Sequence, residues 1–403
     1  MNMQRIYADI EMLQEELVRL RRDLHRHPEL MYEVRRTAGI VAGLLESWEI
    51  EVERNVGAYF GAGVIGTLRG GRPGKTVVLR ADMDALPIEE KNDADYRSTV
   101  EGAMHACGHD AHTVMLLGSA RALSRHREEV PGIVKFVFQP AEEGARPSPG
   151  DGVLRSGGAD MIEAGILDGA DRCFALHVWP ELPIGTIGVH RSYVLAASTH
   201  FTVAFHGLTG HHATPHLASD AITMAAQWIV EMRTFMSAAL NPLEPTVLGF
   251  GTLQAGTVRN AIADRSEVTG SFRAFEPSTV ERIRQAAVSR AQSVAALYGG
   301  TAELSFRIGT ALRNDSEAAS LALQAGAEVF GGERVMALEQ PSLAGEDFAL
   351  YTKRVPGAMA LIGIRNEERG FAYPLHHPQF DLDERVLSYG AKIHAEMVRR
   401  FNS

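Results

Sequence analysis

The segment MHACGHDAHT, Met104 to Thr113, sets three histidines, a cysteine and an aspartate within ten positions of a chain that has only sixteen histidines and two cysteines in all. Thiolate, imidazole and carboxylate together suit zinc, manganese, nickel or cobalt, whereas calcium and magnesium favour all-oxygen shells. Gly108, between Cys107 and His109, permits the close bend that turns both side chains to one ion. A thiolate also has lone pairs enough to bridge to a second ion. Another acidic signal follows Pro140, where Glu142 and Glu143 are adjacent. Such a pair can divide the work, one carboxylate binding metal and its neighbour holding the attacking water as general base. Asp82 and Asp84, two apart in extended chain, point the same way. Asp84 is read as orienting an imidazole ligand.

These residues need elements that deliver them to one place. The apolar runs TVVLRA (Thr76 to Ala81), IVKFVF (Ile133 to Phe138) and RCFALHV (Arg172 to Val178) read as strands, each running into polar residues: Asp82 and Asp84, Glu142 and Glu143, and His177. Helical patterns around His112 to His126 and Val153 to Gly165 lie between them, and Leu13, Leu17, Leu20 and Leu24 predict an opening amphipathic helix. Alternating strands and helices predict an α/β layer with a largely parallel sheet. Ligands of such sheets sit at the carboxyl ends of the strands. From about residue 191 to 311 the pattern becomes βαββαβ, the order of a ferredoxin-like sandwich. After about Asn314 the first pattern resumes through MALIGI (Met359 to Ile364) to a closing helix from about Asp383. The expected organisation is a catalytic domain of residues 1–190 and 312–403, with 191–311 inserted as a second domain.

Composition narrows the function. At 403 residues the chain exceeds the roughly 300 at which one core stops growing. Fifty acidic against forty basic residues give a formal charge of -10, which disfavours nucleic acid as a partner. Charges interrupt every apolar run of the first 22 residues, so no signal peptide is expected there, and no stretch has the length and apolarity of a membrane span. A cytoplasmic setting with reduced cysteines is the expectation.

The motifs DLHRHPEL, LRADMDALPI, MHACGHDAHT, FQPAEEG, HVWPELPIG, GHHATPH, RNAIAD, GEDFALY and PLHHPQFDLDE resemble, in order and along nearly the whole chain, those of the dinuclear metallo-amidohydrolases of the aminoacylase and carboxypeptidase type. The likeness is to the branch that contains hippurate hydrolase and the plant auxin-conjugate hydrolases. It implies a zinc-exopeptidase-like catalytic domain and an inserted lid and dimerisation domain. It also implies two divalent ions held by Cys107, His109, Glu143, His177 and His376, with Cys107 as bridge, Glu142 as base and Asp84 behind the ligands. By the same resemblance His211 stabilises the oxyanion, Asn260 and Arg273 meet the substrate's carboxylate, and the protein is a homodimer. The sequence departs from the family at Thr209, Gly210, His211, His212 and Ala213, where Gly-Gly-His-Ala-Ala is usual, and at Ala263, where proline is usual.

A structural role competes at each position. His126, His190, His200 and His206 are read as packing residues. His112, one helical turn after His109, is left between packing and support of a ligand, and His105 between substrate contact and none. Cys107 alone would read as a small buried hydrophobe. Glu346 in GEDF serves equally as helix N-terminal charge. The implied activity is hydrolysis of N-acyl amino acids. A dipeptidase or carboxypeptidase is the nearer alternative, and a non-catalytic binder of amino-acid conjugates the more distant one.

Overall fold

The computed structural model describes residues 1–402. The chain divides into two compact units, one of Met1–Val194, Arg313–Gln340 and Asp347–Ser403, the other of Leu195–Leu312 and Pro341–Glu346.

The first unit is built on a mixed sheet of β1 (Glu51–Val56), β2 (Gly63–Arg69), β3 (Arg72–Asp82), β4 (Pro131–Gln139), β5 (Arg172–Pro183), β6 (Ile187–His190), β7 (Val335–Leu338) and β8 (Gly357–Arg365). Their order is β1-β2-β4-β3-β5-β8-β6-β7. The centre, β4-β3-β5-β8, is parallel, as is β6-β7, while β1-β2, β2-β4 and β8-β6 are antiparallel. Val77, Val78 and Leu79 on β3 are fully buried, as are Ala358, Met359 and Ala360 on β8. That is why these strands read as continuous apolar runs instead of alternating ones. The His109–Arg125 helix, buried on nearly all sides, packs against the helices Gln14–Arg26 and Val386–Phe401.

Local chemistry shifts several expected boundaries. The opening helix is two, Met3–Met12 and Gln14–Arg26, meeting at Leu13. Of the helix expected over Val153 to Gly165, only Gly157–Glu163 forms. Leu154–Arg155 pairs with Arg146–Pro147 as a short ladder. The Ser156 side chain caps the helix at Ala159 N–H, and Gly165, at φ +84°, follows its end. Strand β5 continues past the expected end at Val178 to Pro183, so His177 lies well inside it.

The second unit has the order βαββαβ: strand Ala197–His206, helix Ala221–Ala238, strands Val247–Ala255 and Arg265–Ala274, helix Pro277–Leu297, strand Thr301–Arg307. All pairings in its four-stranded sheet are antiparallel, and the Ala197–His206 strand lies between Arg265–Ala274 and Thr301–Arg307. Alternate residues Phe201, Val203 and Phe205 face a core with Trp228, Phe272 and Ile283, and Trp228 Nε1 donates to the Ala287 carbonyl at 3.1 Å. The first helix of this unit begins only at Ala221, because Pro215–Leu217 forms a 3₁₀ turn and Asp220 caps the helix through Ile222 N–H.

Candidate metal centre

Asp82 closes β3 level with Gln139, the last residue of β4. The β3-β5 register pairs Arg80 with Ala175, so His177 comes level with Asp82. Three further turns of backbone complete the convergence. Gly108, at φ +83°, admits the chain where a Cβ would lie 2.4 Å from Val178 Cγ2, and His109 then opens its helix. Ala141 (φ +48°) and His376 (φ +64°) hold left-handed conformations that cost non-glycine residues energy. One leads into Glu142 and Glu143; the other carries a sequence-expected ligand, anchored by His376 N–H to the Ala106 carbonyl at 2.8 Å.

The five residues expected to hold metal come together. Donor atoms of Cys107, His109 and His177 lie within 4.8 Å of one another, and so do those of Cys107, Glu143 and His376, and of His109, Glu142 and Glu143. Cys107, His109 and Glu143 each belong to two of these groups, so the three form one connected cluster. His177 Nδ1 donates to the Val178 carbonyl at 2.7 Å, which leaves the Nε2 lone pair turned to Cys107 Sγ, 3.7 Å away. Glu143 Oε1 is 3.3 Å from His376 Nε2 and 3.9 Å from His109 Nε2. Neither contact has hydrogen-bond geometry, so Glu143 Oε1 and His109 Nε2 are buried without partners.

Asp84 is not among the donors. Its carboxylate accepts the backbone N–H of Glu142 at 3.0 Å and of Glu143 at 3.2 Å, and stands 3.4 Å from His109 Nδ1. The approach to His109 lacks hydrogen-bond geometry; what Asp84 fixes directly is the backbone of both glutamates. His112 also supports the site. Its Nδ1 donates to Asp82 at 2.6 Å and its Nε2 accepts Val178 N–H at 2.9 Å, so no lone pair remains for a metal. The group Asp82, His109 and His112, although compact, is thereby disqualified: Asp82 also holds Arg80 at 2.5 Å. This buttress ties the His109 helix to the strand of His177.

Electrostatics make the cluster a cation site. Burial pushes the Cys107 thiol well up, and Glu143, Glu142 and Asp82 push it further. Burial would lower the His109 pKa, but Asp82, Asp84 and Glu143 outweigh it and raise it to about 10. Burial likewise opposes ionisation of Glu143, which His376 and His109 restore, leaving its pKa below the ordinary value. Arg80, the guanidinium at the rim, is committed to Asp82 and, at 2.9 Å, to Asp347. Buried carboxylates and lone pairs balanced only by a proton on His109, whose two nitrogens have no hydrogen-bond partner, are the donor set of a divalent metal site. His105 is buried with neither nitrogen bonded, and burial lowers its pKa to about 3. Cys173 is a buried structural thiol against the Val355 carbonyl.

His211, Asn260 and Arg273 belong to the second unit. His211 and Gly210 form a short ladder with Ala261 and Ile262, immediately after Asn260. The exposed His211 accepts Ala213 N–H on Nδ1 at 3.0 Å, which assigns its proton to Nε2 and makes that atom a donor. Arg273 lies on the sheet, opposite Ser198 and Val247.

Residues 78–400 match the family model for Peptidase family M20/M25/M40. The chain belongs to this family. It is 33% identical over 402 residues to thermostable carboxypeptidase 2 of Saccharolobus solfataricus, covering 99% of each chain. It is 35% identical to an N-acetylcysteine deacetylase of Bacillus subtilis, over 94% of this chain and 95% of that one. A solved Bacillus subtilis structure, a dinuclear metal-binding peptidase of the M20 family, superposes with a TM-score of 0.81 at 32% identity, covering 96% of this chain and 98% of that one. The M20/M25/M40 match spans every candidate residue of both units, from Asp82 to His376.

Proposed function

We propose that the protein is a metal-dependent amidohydrolase that cleaves N-acyl amino acids to a carboxylic acid and a free amino acid. The observation that carries this reading is the buried, anion-rich cluster of Cys107, His109, Glu143, His177 and His376 with a further carboxylate, Glu142, beside it. The dinuclear relative supports a pair of divalent ions, zinc, manganese, nickel or cobalt, which Cys107, His109, Glu143, His177 and His376 would hold. Such ions supply Lewis acidity and lower the pKa of water.

The chain's own residues do the rest. Glu142, its backbone held by Asp84, holds the water and takes its proton, then gives that proton to the leaving amine. His211 donates from Nε2 to the oxygen on which charge develops. Asn260 and Arg273 hold the free carboxylate of the amino-acid half. The inserted unit acts as lid and dimerisation domain of a homodimer. The free, buried thiols Cys107 and Cys173 support a reducing, cytoplasmic setting. No helix among the described residues is long and apolar enough to cross a membrane.

The test is a panel of benzoyl, acetyl and indoleacetyl amino acids beside dipeptides, run on chelated protein and after addition of manganese or zinc. Metal-restored release of amino acid from the N-acyl compounds, hippurate among them, is expected. Full turnover by metal-free protein, verified by elemental analysis, defeats the reading. Restriction to dipeptides favours the second reading, a dipeptidase or carboxypeptidase, to which the carboxypeptidase relative gives weight.

A further inference from the structure

One face of the second unit's sheet is covered by its two helices; the other is polar. Register sets Ser198, His200, Thr202, Ala204 and His206 along the polar face of the Ala197–His206 strand, with Arg273 opposite Ser198 on one side and Arg307 opposite His200 on the other. Charge on this face is segregated. Toward its His206 end, Arg265 lies 3.3 Å from Glu267, and His206 lies 3.8 Å from Glu303. Toward the Ser198 end stand two guanidiniums and no carboxylate: among the described residues, neither Arg273 nor Arg307 has an acidic partner. Between them are neutral groups, Ser198 Oγ and His200 Nε2, 3.2 Å apart.

Both arginines are partly buried. Burial, and for Arg273 also the charge of Arg307, lowers their pKa values. A pair of like charges drawn from water with no counter-charge is costly in the empty protein, and is the arrangement expected where an anion will join. One carboxylate would neutralise only one of the two. Their strands flank a third and their register differs by two residues, so the two arginines start about 12 Å apart on one face of the sheet, a span that extended side chains close to the separation of two carboxylates on one small molecule.

We infer that Arg273 and Arg307, with His200 and Ser198 between them, form a dianion subsite, and that the preferred substrates are N-acyl derivatives of acidic amino acids. The identity of the ligand as an N-acyl amino acid rests on the amidohydrolase reading; the cation pair does not. Arg273 takes the α-carboxylate, and Arg307 selects the carboxylate of the side chain.

The experiment compares kcat/KM for N-acetylglutamate and its neutral isostere N-acetylglutamine on metal-loaded enzyme. It also measures binding of glutarate and of butyrate by calorimetry. Wild type is expected to favour glutamate by about tenfold or more, the scale of one charge-assisted contact. Arg307→Met should bring that ratio close to one, chiefly through KM for glutamate, and should abolish the preference for glutarate; Arg307→Lys should keep part of both. Equal turnover of the two substrates by wild type, or a ratio that Arg307→Met leaves unchanged, overturns the inference while amide hydrolysis stands. If no N-acyl amino acid is turned over, Arg307-dependent glutarate binding keeps the dianion subsite and removes the amidohydrolase reading; equal binding of glutarate and butyrate overturns the subsite as well.

Discussion

His109 and Asp110 are neighbours in the first turn of one helix, both buried, and they face clusters of opposite kind. Asp110 accepts Arg21 Nε and His25 Nδ1, each at 2.8 Å, and Ala111 N–H at 2.9 Å. Arg21 continues to Asp381 at 3.0 Å and His25 to Glu90 at 3.3 Å. Every charge there meets its opposite. Burial would raise the Asp110 pKa, but Arg21 and His25 hold its carboxyl far below the ordinary range. On the His109 side, carboxylates and a thiol gather with unpartnered nitrogen and oxygen atoms, and the compensating charge is a proton on His109 that a bound ion would replace. A charge-balanced buried cluster is complete in itself and serves the fold. An unbalanced one is stable only with something added, and that is what marks a site. The same criterion separates the two ends of the polar face in the second unit.

The largest effect should come from the proposed base on the unbalanced side. Glu142→Gln keeps shape and removes the base, so kcat should fall about 10³-fold, with both metals retained by elemental analysis. Glu143→Gln, in contrast, should lower metal occupancy. Equal metal content and equal residual rates in the two variants would mean that the roles are misassigned.

Next in size is the balanced side. Arg21→Met leaves Asp110 buried without its guanidinium, which should cost about 3–5 kcal/mol in urea unfolding. The sign with pH follows from the depressed Asp110 carboxyl. Its stabilisation is present above the unfolded pKa and is lost as pH falls through the folded value, so the variant's stability should decline less toward acid than wild type's. Glu143→Gln should shift stability mainly in metal-loaded protein, since only there does it remove a bound ligand. Comparable losses from both substitutions in metal-free protein would erase the distinction between the two clusters.

Much of this was legible in the sequence, for identifiable reasons. Cys107, His109, Glu142 and Glu143 belong to residue types that rarely crowd together without cause, and the apolar runs before Asp82 and Glu142 mark the strands that end at Asp82 and Gln139. His376 came from resemblance alone, because its left-handed backbone and its bond to Ala106 have no local signature. His112 could not be decided from sequence: its role depends on Val178 N–H, 66 positions away. Arg307 carries no signal in the sequence and His200 reads there as a packing residue, because their meeting with Arg273 is a matter of strand register across three segments, and pattern alone does not fix register. The helix expected over Val153 to Gly165 is longer than the one that forms, since apolar spacing there does not show the Ser156 cap or the short ladder before it.

The smallest effect is the most direct measure of imbalance, the protons displaced when metal enters. In metal-free protein near pH 8, His109 is protonated, its pKa raised to about 10 once neighbouring carboxylates outweigh burial, and the Cys107 thiol, pushed up by burial and the same acids, is protonated too. Both must lose a proton to coordinate, so binding should release about two protons and apparent affinity should rise with pH, roughly tenfold per unit for each proton displaced. Zinc titrations by calorimetry in two buffers of different ionisation enthalpy would count them. Cys107→Ser should lower the count by about one, because a serine hydroxyl stays protonated where a thiolate would form. Arg21→Met, which alters only the balanced cluster, should leave the count near wild type. A wild-type count near zero would mean that His109 and Cys107 do not enter the metal's shell, and the contrast between the two faces of this helix turn would have to be explained without a metal.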